Sequence, residues 1–281
     1  MSDNPTEVEA TALPLPDYRL LEIAGRDAMA FAQAQFMNDV AALADGQWQW
    51  SGWLTPKGRV VALFALLRLD QQTLWLLLPD FAPADLAAAL GTYVFRSHVT
   101  MTTRNDLRVS GARDAHDTAP GRQFFRAPDT ASMSLGWPGD RGIDIRPGRD
   151  DGDDGKDAIS DPGWYQADLR AGIPRLVFTQ SAQWTPQQLS LERLAAYSVK
   201  KGCYPGQEIV ARTHFLGQAK RGLVLLQAEV PLAAGDPVSD GTRETGQVVS
   251  ASGDWALAVA PLGTRIMESR ERSVREQPFE G

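Results

Sequence analysis

Residues 200–212 read Lys200-Lys201-Gly202-Cys203-Tyr204-Pro205-Gly206-Gln207-Glu208-Ile209-Val210-Ala211-Arg212 and hold the single cysteine of the chain. A thiol reacts as its thiolate, whose formation is favoured by nearby cations and by a helix N-terminus. Lys200 and Lys201 supply the cations. Pro205 suits a first helical position, where its missing N–H is not needed, and Gln207 to Arg212 can continue the helix. Cys203 then precedes that helix's positive end. Gly202 and Gly206 permit positive φ or close backbone approach, so main-chain N–H groups could meet a ligand. The competing reading is a small residue packed in a tight turn, the usual situation of a free cysteine.

Working outward, Thr185-Pro186-Gln187-Gln188 combines an N-cap, a first-turn proline and a capping-box glutamine. It predicts a helix that lines an inner face with Leu189, Leu194, Ala195 and Tyr197 and delivers the chain to Lys200. After Gly217, the runs Leu223–Ala228, Gln247–Ala251 and Trp255–Ala260 are punctuated by Gly-Asp turns and predict a small β-barrel. Toward the start, the pattern predicts a strand at Tyr18–Ile23, an amphipathic helix at Asp27–Phe36 and a hairpin of Gln47–Leu54 with Arg59–Leu69. A buried strand at Thr73–Leu78, a helix at Pro83–Phe95 and a strand at Val99–Val109 follow. Trp48, Trp50 and Trp53 alternate imperfectly, and core packing is expected for at least two of them.

Five blocks, in order, resemble one family. Lys200 to Arg212 resembles the signature of the YgfZ family of folate-binding proteins, relatives of the glycine-cleavage T-protein (aminomethyltransferase). Gly25-Arg26-Asp27 with Phe31, Gln35, Asn38, Asp39 and Val40 resembles the family's first helix and the turn after it. Pro56-Lys57-Gly58-Arg59-Val60 resembles its first hairpin, Ala171-Gly172-Ile173-Pro174 its entry to the site region, and Lys220-Arg221-Gly222-Leu223 the start of its last barrel.

The resemblance implies an α+β fold, with a mixed α/β folate-binding region around a central cavity and a small C-terminal β-barrel. The expected divisions are a flexible arm at 1–16, the folate-binding region at 17–216 with an internal acidic loop near 147–163, the barrel at 217–264 and a frayed polar tail at 265–281. The implied ligand is tetrahydrofolate or a derivative, held near the cysteine loop. The implied site residues are Gln35, Asn38, Asp39, Lys57, Gly58, Arg59, Arg170, Lys200, Lys201, Gly202, Cys203, Tyr204, Gly206, Gln207, Glu208 and Arg212. A pterin needs a flat slot with a few polar contacts, and a polyglutamate tail needs cations, which Lys57, Arg59, Lys200, Lys201 and Arg212 offer.

Two departures bear on activity. The T-protein places a paired aspartate after its first-hairpin glycines, whereas Arg59, Val60, Val61 and Ala62 follow Gly58 here. Neither valine nor alanine can do a carboxylate's work, so aminomethyl transfer is not expected. Arg170 stands where the T-protein uses a glutamate to hold the pterin. The implied role is an accessory factor for iron-sulfur enzymes or their assembly proteins, tRNA-modifying ones included, with Cys203 decisive. The alternatives are a folate-dependent one-carbon transferase using Cys203 and a non-catalytic docking scaffold.

Composition sets outer limits. The 281 residues are 43% hydrophobic, enough for a sizeable core. No apolar run reaches membrane-spanning length and no signal-peptide pattern opens the sequence, which reads as cytoplasmic. A net charge of −7 argues against direct nucleic-acid binding. One cysteine and three histidines cannot supply the usual four ligands of a cluster within one chain, so no tightly bound metal is expected. The aspartates of 147–163 lack the ordered spacing of a calcium loop.

Overall fold

In the computed structural model, residues 12–113, 122–127, 132–148, 161–217, 219–270 and 272–280 are described. Most of the expected N-terminal arm and of the acidic loop lies outside them. The described elements are β1 (Leu13–Pro14), β2 (Arg19–Ala24), α1 (Ala28–Gln35), β3 (Gln47–Leu54), β4 (Val60–Arg68), β5 (Thr73–Leu78), α2 (Pro83–Gly91), β6 (Thr100–Thr103) and β7 (Leu107–Ala112). They continue with β8 (Phe124–Arg126), β9 (Met133–Trp137), β10 (Arg141–Pro147), α3 (Pro162–Arg170), α4 (Gln207–Leu216), β11 (Arg221–Ala228), β12 (Pro237–Ser239), β13 (Glu244–Ser252), β14 (Trp255–Pro261), β15 (Glu268–Ser269) and β16 (Arg272–Gln277). The fold is α+β: two five-stranded antiparallel sheets, β3-β4-β5-β2-β6 and β1-β7-β10-β9-β8, and a closed six-stranded barrel, β11-β14-β13-β12-β15-β16.

The unbroken apolar sequence of β5 follows from its central place in the first sheet. Trp75 and Leu77 enter a core shared with the second sheet and α3, while Leu74, Leu76 and Leu78 enter one beneath α1 and α2. Both faces are covered, so the usual polar alternation disappears. Strand β4 divides likewise, with Leu63, Ala65 and Leu67 on one side and Ala62, Phe64 and Leu66 on the other. Barrel residues Leu223, Leu225 and Leu257 join the first core.

A buried polar joint fastens the sheets to α3. Asp168, with no exposed surface, accepts from the Tyr18 hydroxyl at 2.6 Å, Trp137 Nε1 at 3.0 Å and Arg141 Nη2 at 2.8 Å. Arg175 lies 3.7 Å from the same carboxylate and donates to Asp80 at 2.8 Å. Burial pushes the Tyr18 hydroxyl well above its ordinary pKa, with the Asp168 charge adding to it.

Several expectations need correction. The run Val99–Val109 is two strands, β6 and β7, separated by a turn in which Arg104 pairs with Asp106 and Glu22. Helix α2 stops at Gly91 instead of reaching Phe95, which itself has φ 29°. The helix expected from Thr185 does not form, although its capping box does. The Thr185 N–H donates to Gln188 Oε1 at 3.0 Å, and the Gln188 N–H donates to Thr185 Oγ1 at 3.3 Å. One turn later Ser190 turns left-handed (φ 47°), and Ala195 repeats this (φ 48°). Each closes with a six-residue bond, Leu191 N–H to Pro186 O and Ala196 N–H to Leu191 O. Of the expected inner face only Leu189 is buried, beside Pro186, Gln187, Leu191 and Ala196, whereas Ala195 is exposed. The supposedly frayed tail is structured: β15 and β16 pair with β12 and β11 and close the barrel.

Candidate functional site

The cysteine loop begins on a turn, not a helix. Pro205 and Gly206 are the central residues of the turn from Tyr204 to Gln207, closed by the Gln207 N–H on the Tyr204 carbonyl at 3.1 Å. Gly206, at φ 79° and ψ 0°, has the conformation that a type II turn asks of its third residue, and Pro205 suits the second. Helix α4 therefore starts at Gln207, two residues after the expected Pro205.

This turn rests on the first hairpin. Thr55-Pro56-Lys57-Gly58 reverses the chain, with the Gly58 N–H on the Thr55 carbonyl at 2.9 Å and Gly58 left-handed at φ 67°. A Cβ on Gly206 would stand 2.6 Å from the Thr55 carbonyl oxygen and 2.7 Å from Gly58 Cα. One on Gly58 would stand 2.9 Å from Ile209 Cβ. The two motifs, far apart in sequence, thus meet backbone to backbone. Gly202 has no such duty, since a Cβ there would meet open space.

Lys201 fixes the loop from the other side. Its side chain is buried, and Nζ lies 2.5 Å from the Gln33 and Phe36 carbonyl oxygens and 3.1 Å from that of Asn38. Three ammonium protons thus meet three acceptors at the C-terminal end of α1, where a cation is favoured. Burial pushes Lys201 down to about 8, with the Asp39 charge opposing. The ammonium caps α1, so the expected use of Lys201 to activate the thiol or to hold a ligand carboxylate is not what this geometry provides. Tyr204 is also buried, 4.9 Å under that ammonium, and donates to the Ser198 carbonyl at 3.3 Å. Its hydroxyl is raised above the ordinary tyrosine pKa by burial. Gln207 Nε2 returns to the Lys201 carbonyl at 3.2 Å.

Held this way, Cys203 is exposed and free. The other expected residues divide into braces and open groups. Asn38 donates to the Trp50 and Ala195 carbonyls, both at 2.8 Å. Asp39 accepts from Gln33 Nε2 at 3.1 Å. Arg59 donates to the Gln183 carbonyl at 2.9 Å and Gln188 Oε1 at 3.0 Å, so its charge serves the capping box. Arg170 pairs with Glu280 and lies over the Trp255 ring. Lys57, Lys200, Glu208 and Arg212 are exposed. Gln35 Oε1 and Trp53 Nε1 are buried without a hydrogen-bond partner.

Sequence reasoning missed Gln33 and Gln187. Gln33 Oε1 accepts from the Val40 and Ala41 N–H groups at 2.8 and 3.1 Å and clasps the turn after α1. Gln187 Nε2 reaches the Val210 carbonyl at 2.9 Å and ties the capped turn to α4. Neither has a sequence signal of its own. A cavity of about 650 Å³ lies elsewhere, on the barrel between Gln227 and Arg275, with no described link to the cysteine loop. Among the described residues, no group of three or more His, Cys, Asp or Glu side chains is placed to hold a metal ion, and no helix is long and apolar enough to cross a membrane.

Comparison with known proteins finds relatives over most of the chain. A tRNA-modifying protein YgfZ of Klebsiella pneumoniae (strain 342) is 30% identical over 264 residues, covering 86% of this chain and 80% of the relative. An uncharacterized protein of Haemophilus influenzae is 30% identical over 251 residues, covering 85% and 83%. The glycine cleavage system aminomethyltransferase T of Bartonella henselae superposes with a TM-score of 0.74 at 19% identity, over 96% of this chain and 86% of that one, a likeness of fold. No protein-family profile matches. On the identity and coverage of its Klebsiella relative, this chain belongs to the YgfZ family.

Proposed function

We propose that this protein is a tetrahydrofolate-binding accessory factor that supports assembly or repair of iron-sulfur enzymes, including tRNA-modifying ones, through the thiol of Cys203. The observation that carries the reading is an exposed cysteine on a loop whose neighbours on both sides are fixed, Lys201 by three carbonyls and Gly206 by the first hairpin. A rigid loop that displays one thiol suits transfer to or contact with a partner better than it suits a core role. The name of the Klebsiella relative supports a connection with tRNA modification. Exposed Ile209, Phe215 and Leu216 on α4 give a partner protein apolar contacts next to the loop.

A folate fits the residues present. Its pterin carries amide-like donors and acceptors, and Gln35 Oε1 and Trp53 Nε1 are a buried acceptor and donor that no protein group satisfies. When bound, tetrahydrofolate would supply a one-carbon carrier. Exposed Lys57, Lys200 and Arg212 are the cations free for its acidic tail, since Lys201 and Arg59 are committed. Val60 and Ala62 are buried in the apolar cores, with no carboxylate in that stretch for aminomethyl chemistry.

The test is complementation in cells lacking the protein. Cys203→Ala should fold with an unchanged denaturation midpoint yet fail to restore iron-sulfur enzyme activities under oxidative stress. Full restoration would refute the proposed role of the thiol. Calorimetry with tetrahydrofolate tests the ligand separately, and absence of binding at high concentration removes it.

A further inference from the structure

Beside the Asp168 joint lies a row of aromatic rings that the proposed function does not use. Trp137, at the end of β9, is its centre. Its ring centroid lies 5.8 Å from that of Trp48, whose plane is nearly parallel at 19°, and 4.8 Å from that of Trp50. On the other side it lies 5.9 Å from the Tyr18 ring. All four side chains are buried. Rings this close to one another let an electron pass between them without any movement of the chain.

Packing accounts for the rings but not for what their polar ends meet. Among the described residues, Trp48 Nε1 is buried with no hydrogen-bond partner. Trp137 Nε1 donates to Asp168 Oδ1 at 3.0 Å, and the Tyr18 hydroxyl donates to Oδ2 of the same carboxylate at 2.6 Å. One acceptor thus faces both an indole N–H and a phenol O–H. An indole or phenol that loses an electron becomes strongly acidic, so the position of a base decides where an oxidising equivalent settles. Trp48 has no base, keeps its proton when oxidised and remains a strong oxidant. The cations of the joint sharpen the choice. Arg175 lies 5.1 Å over the Tyr18 ring and Arg141 4.4 Å over that of Trp164, so a positive charge on either ring is opposed. Tyr18 avoids that charge by losing its proton with the electron. Trp164 Nε1 points instead at the Tyr18 hydroxyl, 3.3 Å away, and has no such exit. At rest the phenol is fully protonated, because burial raises its pKa.

We infer that Trp48, Trp137, Tyr18 and Asp168 form a radical relay, which traps the oxidising equivalent of a small one-electron oxidant as a neutral phenoxyl radical on Tyr18. The oxidant takes one electron from Trp48, leaving its radical cation. An electron from Trp137 restores Trp48, and the Trp137 N–H proton moves to Asp168 Oδ1. An electron from Tyr18 then restores Trp137, which recovers its proton from Asp168, while the phenol proton passes to Asp168 Oδ2. The balance is one electron and one proton lost by Tyr18, the electron to the oxidant and the proton to Asp168. The relay uses neither Cys203 nor a folate, so it stands apart from the role proposed above.

The experiment is pulse radiolysis of the full chain with the azide radical, a one-electron oxidant of indoles. Indolyl absorbance in the green and phenoxyl absorbance in the violet are followed together. Indolyl decay should match a phenoxyl rise whose rate does not change with protein concentration, and the rise should slow in deuterium oxide. Tyr18→Phe should lose this rise and prolong the indolyl signal, and Trp137→Phe should lose the rise while Tyr18 is still present. Electron paramagnetic resonance of the frozen wild type should show a tyrosyl radical coupled to one exchangeable proton. A phenoxyl rise that survives Tyr18→Phe, that scales with protein concentration or that is indifferent to deuterium would overturn the inference. The isotope and concentration arms use the unaltered protein, so they decide the matter even if a variant fails to fold.

Discussion

At the scale of single residues, Lys201 shows how a side chain can serve a reactive neighbour without touching it. Its ammonium reaches the Gln33, Phe36 and Asn38 carbonyls, and this anchors the chain one residue, Gly202, short of Cys203. Lys201→Met keeps the stem and removes the donor, leaving buried carbonyls short of a partner at about 1–3 kcal/mol for each group left unsatisfied. Urea denaturation should show a loss of at least that size, with faster amide exchange across Gly202–Tyr204. An unchanged midpoint would mean that water replaces the ammonium. The lysine pair was legible in the sequence as charge near a thiol. Its destination was not, because the acceptors are backbone atoms of α1 and its following turn, which composition cannot reveal.

Among the elements, α1 is tied at its start as firmly as at its end. Asp27 accepts from Arg26 Nε at 3.0 Å and from the His98 N–H at 2.8 Å, and Gly25 passes so close that a Cβ would stand 2.2 Å from the His98 carbonyl oxygen. The Arg26 hydrogen bond first, and then the His98 N–H, hold the Asp27 carboxyl down at about 2. The folded value lies below the ordinary 3.8, so the stabilisation is present above that pH and is lost as pH falls toward about 2. An NMR titration should place the Asp27 midpoint near that value, and Asp27→Asn should flatten this part of the acid-stability curve. A midpoint at the ordinary carboxylate value would contradict the assignment. Elements with a clean period were legible: β5 falls on its expected residues, and the first hairpin is within a residue of them. The helix from Thr185 was not, because Ser190 and Ala195 adopt left-handed φ without the glycine that normally announces it. Strand β16 was hidden for another reason. On the outside of a small barrel only Val274 of Arg272–Gln277 is buried, so five polar or charged residues mask the pattern.

For the whole molecule, the joint around Asp168 decides whether the two sheets and α3 behave as one body. Asp168→Asn preserves shape and can still accept from Tyr18, but it strips the charge that faces Arg141 and Arg175. Removing one partner of a buried ion pair costs about 3–5 kcal/mol, so equilibrium unfolding should show a loss of that order. A loss under about 1 kcal/mol, the value of an exposed pair, would mean that the joint is wetter than its burial implies. The approach of Gly206 to Gly58 reaches further, into the timing of maturation. It closes a loop of well over a hundred residues, and contacts of that separation form late, after local hairpins and turns. A newly made or heat-damaged molecule therefore carries Cys203 on an unsupported segment until both halves have come together, and correct presentation of the sulfur becomes a built-in report that folding is finished.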